Sequence, residues 1–306
     1  MTVSPSVINA LDAGAVDQRQ RYSVKRTVRS DFREIVAELR QSRDIIYQFV
    51  LRDIRIRYKQ ALLGFAWALL MPASIVLAGL AMRVAISYVA GRPIVSTHIA
   101  GMAIKAVPWG FFMACLGTTT ATLVSNNALV TKIYFPREVL PLSAVIAQSF
   151  DSGIGLLLVL VIMPFLHVTP SPQLLWMPLL LAILWTHAIG LGLFLSCLNL
   201  FFRDVKYLVQ MVVTFGIFAT PVLLDAGMYG PKGAVIMLAN PVGAILEGLR
   251  LSVVEHHNLL QPLWSSSGVL IWHPLYLAHT LMWALIVLVG GSIFFHRSER
   301  RFAELV

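Results

Sequence analysis

The sequence predicts an all-α, polytopic membrane protein: six transmembrane helices, an N-terminal amphipathic interface helix, and short outer gate helices between spans five and six. Three observations predict it. Of 306 residues, 58% are hydrophobic and only 13% charged, against roughly 25% charged in a soluble domain, and the mean hydropathy is +0.76. The chain repeatedly offers apolar stretches near the roughly 20 residues that cross a bilayer, Leu62 to Met82 being the first and wholly uncharged. Finally, 12 of the 24 Lys and Arg lie before residue 61. Concentrated there, the net charge of +9 reads as a segment held near anionic lipid and not as a nucleic-acid surface.

In chain order, residues 1–43 form a polar cytoplasmic tail, with the basic run Arg19 to Arg29 leading into a short helix near Asp31 to Arg40. Residues 44–306 form one transmembrane domain. The interface helix occupies 44–60: Arg52, Arg55 and Lys59 step by three and four residues down one face, while Ile46, Val50, Ile54 and Tyr58 step by four down another. Such a helix lies along a membrane surface with its cations at headgroup level, or serves as a juxtamembrane anchor that fixes topology. No apolar stretch precedes Leu62, so no cleaved leader is expected. Spans are expected at about 62–82, 106–124, 139–166, 174–200, 207–224 and 275–295, with ends uncertain by a few residues. Cys115 and Cys197 fall inside them as small hydrophobes.

Six spans put both termini on one side. Lys132 and Arg137, Arg203 and Lys206, and Arg297, Arg300 and Arg301 share that side with the basic N-terminal segment. The positive-inside rule makes it the cytoplasmic face of a multi-pass protein of the inner membrane. The opposite face holds Arg92, Lys232 and Arg250, with Arg83 and Lys105 near it. Between spans five and six, Val235 to Leu238 and Val242 to Leu251 read as two short helices broken at Asn240-Pro241. They form an outer gate or an external cap, since irregular backbone at membrane depth needs a cover of protein or a wet path.

Candidate chemistry is sparse. No Gly-Lys dipeptide exists, hence no phosphate-cradling loop of the Walker type, and the chain is not expected to hydrolyse ATP by itself or to be an enzyme. Asp225, Glu247 and Glu255 are widely spaced, and adjacent His256 and His257, with His273 and His279, do not easily share one ion; no catalytic, cofactor or metal site is expected. Asp151, in mid-span, must face the bundle interior or a wet cavity, as a hydrogen-bonding partner of Gln148, Ser149 and Ser152 or as a group that meets substrate. The loop 126–138 carries Leu129, Val130, Ile133, Tyr134 and Phe135. This apolar face fits a groove on a partner protein or packs on the chain's own surface helix.

The run Arg52-Asp53-Ile54-Arg55-Ile56-Arg57-Tyr58-Lys59-Gln60, followed by Leu63-Gly64-Phe65-Ala66-Trp67, resembles the permease subunits of ABC-2 type polysaccharide exporters, the group that includes O-antigen and teichoic acid exporters. Tyr134-Phe135-Pro136-Arg137-Glu138, Phe202-Arg203-Asp204-Val205, Asn240-Pro241, Glu247-Gly248-Leu249-Arg250 and Glu299-Arg300-Arg301-Phe302 add to it. The resemblance covers residue 44 to the end. It implies a permease that pairs with a second copy of itself and with two separate ATP-binding subunits, which hold the ATP and Mg. It further implies that 44–60 is the interface helix, that the 126–138 loop (Leu129, Ile133, Tyr134, Phe135, Arg137, Glu138) is the coupling helix, and that Asn240, Pro241 and Glu247 belong to an outer gate. Trp67, Trp109, Phe111 and Phe112 are the candidate glycan path, although lipid-interface belts use the same residues. The cluster Arg52, Arg55, Arg57 and Lys59 is matched to the diphosphate of a lipid-linked polysaccharide. Other cargoes compatible with the same parts are teichoic acid, a capsule polymer, a drug or a small lipid.

Overall fold

A computed structural model describes residues 28–59, 66–91, 95–132, 135–265, 268, 270–299 and 302. The chain is an all-α bundle with one two-stranded hairpin. Helices α1 (Val28–Gln41) and α2 (Arg43–Tyr58) lie at one end, called proximal below, joined by the single residue Ser42. The backbone does not break there: Ser42 N–H donates to Glu38 O, and Ser42 O accepts from Ile46 N–H. The long helices follow as α3 (Trp67–Ala90), α4 (Ser96–Ser125), the short α5 (Asn127–Lys132), α6 (Val139–Ile162), α7 (Trp176–Phe201) and α8 (Val205–Phe215). Then come α9 (Gly230–Ala239), α10 (Pro241–Val253), the hairpin β1 (Leu263–Trp264) with β2 (Leu270–Trp272), and α11 (Leu275–Ser298).

Among the described residues, five helical segments are long and apolar enough to cross a membrane, Leu70–Val89, Ser96–Ser125, Val139–Leu166, Pro172–Phe201 and Leu275–Ser298, or six if the bent pair Ala226–Ala239 and Pro241–Val253 is one span. Two of them outrun the uncharged stretches because their charges are neutralised inside the protein. Helix α3 continues past Arg83, which is 4% exposed and bonded to Asp225. Helix α4 begins at Ser96, where apolarity alone starts at Ala106, because Lys105 is fully buried against Asp225.

The fifth apolar stretch behaves differently. Helix α8 and the 3-10 turn Gly216–Ala219 end at Ala219, short of the 224 expected from hydropathy, and span about 25 Å against a hydrocarbon core of about 30 Å. Residues 220–225 are non-helical. They are tolerated because protein covers them: Thr220, Val222, Leu223 and Leu224 are all buried, which removes the penalty for irregular backbone facing lipid. The chain then forms α9 and α10, bent by 114° at Asn240. Every residue of α10 from Val242 to Val253 is buried, against α4, α7 and α11. Helix α10 is therefore part of the bundle and not a cap upon it, whereas α9 buries only Ala234 and Leu238.

Helix α4 is the hub, touching α3, α6, α7, α8 and α10. Helix α7 packs extensively against α11, where Gly190 and Gly291 let the backbones meet; a Cβ built on Gly190 would lie 2.6 Å from Val287 O. Small residues at a crossing are the usual means of close approach in a bilayer. A second, smaller apolar cluster at the proximal end joins Leu123, Val130, Phe135, Phe295 and Phe302.

Candidate functional site

Among the described residues, three polar clusters and two of the cavities take in the candidate residues. The first cluster lies where α2 meets α6. Arg57 donates to Asp151 and, at 2.9 Å, to Gln148 Oε1, while the Tyr58 hydroxyl donates to the other Asp151 oxygen. Burial, and secondarily the bond to Asp151, raise the Tyr58 pKa and keep the phenol a donor. Asp151 is thus the charge partner of Arg57, as an intramembrane carboxylate requires. The pair opens onto a cavity of about 360 Å³ between α2, α3, α4 and α6, whose other wall includes Met71, Ile75 and Phe111.

The four cations matched to a diphosphate consequently divide. Arg57 is committed to Asp151. Arg52 is committed to Asp53 at 2.8 Å and to Asn126 Oδ1 at 3.1 Å, with its guanidinium 4.5 Å from the Phe49 ring centroid. Arg55 and Lys59 are exposed, and these two are the cations presented outward.

The aromatic candidates divide as well. Trp109 and Phe112 line a second cavity of about 280 Å³, which Asn240, Pro241, His187 and Trp283 help to close, whereas Phe111 faces the first. The side chain of Trp67 lies outside the described residues. Asn240 itself is a joint: its Nδ2 donates to Ala219 O at 3.2 Å and its Oδ1 caps α10 by accepting from Val242 N–H. One side chain therefore satisfies a carbonyl at the end of the 3-10 turn after α8 and an N–H at the start of α10, as helix-terminus groups demand.

The second cluster was not legible as a unit. Arg83 from α3, Lys105 from α4, Asp225 from the covered turn, and Glu247 and Arg250 from α10 meet at the distal end, with the more exposed Glu255 beside them. Asp225 receives Arg83 at 2.6 Å, Lys105 at 2.9 Å and Arg250 at 3.3 Å. Glu247 receives Arg250 at 2.7 Å and Lys105 at 3.7 Å, and Arg250 also reaches Glu255. Burial alone would raise the Asp225 carboxyl, but Lys105, Arg250 and Arg83 outweigh it and hold the acid well below the usual carboxylate range. Gly101 makes the room: a Cβ there would crowd Arg250 Cδ at 3.1 Å. Three cations face three acids, and that balance, in a chain with so few charges, was the available signal. Glu247, expected as a gate residue, is a fully buried member of this cluster, as is Lys105.

The third cluster sits at the proximal end. Glu138 at the start of α6, His296 in the last turn of α11 and Glu299 bring one donor atom each within 4.8 Å of one another. This geometry could hold a metal ion. The His296 ring lies between two acids, Glu138 at 3.3 Å and Glu34 at 3.7 Å. Burial and the neighbouring Glu138 push the Glu299 carboxyl up to about 7, against the opposing pull of Arg137, whose Nη1 also donates to Glu299 O at 2.7 Å. His256, His257 and His279 each bond a backbone carbonyl, of Thr169, Gln261 and Ala239 respectively, and do not converge.

The loop 126–138 turns Leu129, Val130 and Phe135 inward. Val130 is 1% and Phe135 8% exposed, both packed in the proximal cluster, with Leu129, Ile46 and Phe49 against it. Of the two readings open for this face, packing within the chain accounts for Leu129, Val130 and Phe135. Ile133 and Tyr134 lie outside the described residues. Among the described residues here, Ser125, Asn127 and Ala128 are exposed.

No family model matches the chain. It is similar to the O-antigen export system permease protein RfbA of Myxococcus xanthus, 29% identical over 275 residues, covering 89% of this chain and 99% of that protein. Two permease proteins of the same description from Klebsiella pneumoniae are 23% and 24% identical, each over 86% of this chain and 95% of its own length. Similarity that runs nearly end to end, on a bundle of apolar helices, means that the chain resembles the permease subunits of ABC-2 type polysaccharide exporters.

Proposed function

We propose that this chain is the membrane-spanning subunit of an ATP-driven exporter that moves a lipid-linked, O-antigen-like polysaccharide from the cytoplasmic to the outer side of the inner membrane. The observation that carries the reading is the alignment with three O-antigen export permeases over 95–99% of their lengths. The five described helical segments long and apolar enough to span and the bent pair α9–α10, of which α10 is buried, are compatible with a transport path. In this reading the proximal end faces the cytoplasm and two copies of the chain assemble with two ATP-binding subunits, which bind the nucleotide and Mg.

Each part then has a task. Arg55 and Lys59, the outward-facing cations of α2, meet the charged head of the lipid-linked cargo through charge-assisted hydrogen bonds. The exposed side of α5 and its approach, Ser125, Asn127 and Ala128, offers the docking surface for the ATP-binding subunit, while Val130 and Phe135 transmit its movement inward because they are packed against α2, α7 and α11. Arg137 and Glu138 tie that loop to the end of α11. Trp109 and Phe112 lie beneath the Asn240 joint, where flat rings suit sugar faces, and α10 moves with the distal ion cluster as the outer gate.

Complementation tests the reading. Cells lacking the chain should lose the surface polymer and regain it with the wild-type gene. The Arg55→Ala/Lys59→Ala variant should insert normally and export at least about tenfold more slowly, in keeping with loss of hydrogen bonds to a charged group worth about 1.5–3 kcal/mol. Full export by this variant, measured as surface polymer per unit of membrane-inserted protein, would remove the headgroup role.

A further inference from the structure

The cavity between α2, α3, α4 and α6 has features that the export reading does not use. Its polar end is built from Arg57, Tyr58, Gln148 and Asp151, with Ser152 on the same wall. Both carboxylate oxygens of Asp151 are occupied, one by Arg57 and one by Tyr58. The side chain of Asp151 is only 11% exposed, and that of Arg57 33%. The end is therefore polar, held in place and charge-neutral. Apart from Thr118, whose hydroxyl donates to Ala114 O, the rest of the wall is apolar, with Met71, Pro72 and Ile75 from α3 and Val107 and Phe111 from α4.

Charge decides what such a pocket accepts. A phosphate would gain Arg57 only by coming close to Asp151, and the two interactions oppose each other in a region of weak screening. An uncharged hydroxyl-bearing group meets no such opposition, because hydroxyls donate and accept and can use the Gln148 amide, the Ser152 hydroxyl and the outer edge of the guanidinium. The rings of Tyr58 and Phe111 supply flat apolar faces beside them, and the α3 and α4 side chains suit an acyl chain.

We propose that this cavity is a binding site for a neutral glycolipid: an amphiphile whose uncharged polyol headgroup sits on Arg57–Asp151–Gln148 and whose tail lies along Met71, Ile75 and Phe111. The site is separate from the outward cations Arg55 and Lys59, and it does not depend on the chain being an exporter. Its selectivity comes from Asp151, which neutralises Arg57.

The test uses the full chain in bilayer nanodiscs of phosphatidylcholine. These carry equal mole fractions of two photoactivatable lipids with the same diazirine acyl chain, glucosyl diacylglycerol and phosphatidic acid, and mass spectrometry locates the labelled peptides. Wild-type protein should be labelled at the Met71–Ile75 and Phe111 peptides roughly tenfold more by the glucosyl lipid than by phosphatidic acid, a ratio equivalent to about 1.4 kcal/mol, and excess unlabelled glucosyl lipid should abolish it. Asp151→Asn leaves Arg57 without its counter-charge and should reverse the preference toward phosphatidic acid. Arg57→Gln/Asp151→Asn holds no bare buried charge and should keep the preference for the glucosyl lipid, so a folding failure of the single variant leaves the test intact. Three results would overturn the proposal: equal or stronger labelling of the wild type by phosphatidic acid, labelling of these peptides no heavier than that of other lipid-facing helices, or no labelling of them at all.

Discussion

Glu247→Leu should abolish most of the folded protein, and Lys105→Met added to it should restore a large part. Both side chains are fully buried, in a cluster of three cations and three acids where Arg250 and Lys105 face Glu247 at 2.7 and 3.7 Å. The single change leaves three cations against Asp225 and the half-exposed Glu255, and breaking one member of a buried ion cluster costs about 3–5 kcal/mol. Set against a total stability of about 5–15 kcal/mol for a folded domain, that loss is decisive. The double change returns the cluster to two charges of each sign, and a balanced buried cluster with apolar replacements is often close to neutral in cost. Thermal unfolding of detergent-purified protein, followed by its tryptophan fluorescence, gives the comparison. A large fall for the single variant with partial recovery in the double is the expected pattern. A double variant as unstable as the single would show that Glu247 acts through something other than charge.

Gly291→Leu should have the next largest effect, and Gly290→Leu, one residue away, should be mild. A Cβ on Gly291 would enter the van der Waals envelope of the Gly190 carbonyl oxygen, and the Gly190 side of the contact is likewise backbone. Backbone in a packed helix pair cannot turn aside as a side chain can, so α7 and α11 would have to separate along their length. Overpacking a core costs typically about 1–3 kcal/mol even where side chains can adjust, and here they cannot. The same separation would loosen Phe194 from Phe294, whose ring centroids lie 5.1 Å apart, and would disturb His296 against Glu138. At Gly290 nothing lies within 4 Å of a built Cβ. Monodisperse yield on size exclusion separates the cases: the Gly291 variant should aggregate or fail to accumulate, and the Gly290 variant should behave as wild type. Equal yields from both would mean that the α7–α11 crossing is not the tight contact described.

The sequence showed the fold class plainly because apolar runs and sparse charge leave few alternatives in a bilayer. It was least informative where a charge is neutralised by a residue far along the chain. Arg83 and Lys105 read as the edges of spans, yet they lie within helices that continue because Asp225 and Glu247 wait for them. The stretch after Ala219 read as helix from its hydropathy, although burial by neighbours allows it to turn, and hydropathy cannot tell protein cover from lipid. The loop 126–138 was ambiguous for a related reason: an apolar face demands burial without saying by what, and Val130 and Phe135 find theirs within the chain. Asn240-Pro241 was readable as a break because proline and a capping amide act locally. The division of labour among Arg52, Arg55, Arg57 and Lys59 was not, since it depends on Asp53, Asn126 and Asp151, and the last two lie far along the chain, Asn126 between α4 and α5 and Asp151 on α6.

Export of a lipid-linked polysaccharide is the central claim, and the sidedness of that polymer tests it most directly. The chain should be depleted in its host and the polysaccharide labelled from outside in intact and in permeabilised cells. The account predicts loss of polymer at the surface together with a pool of lipid-linked polymer that is labelled only after permeabilisation. Unchanged surface polymer with no internal pool would contradict it and would point to a small lipid or a drug as the cargo.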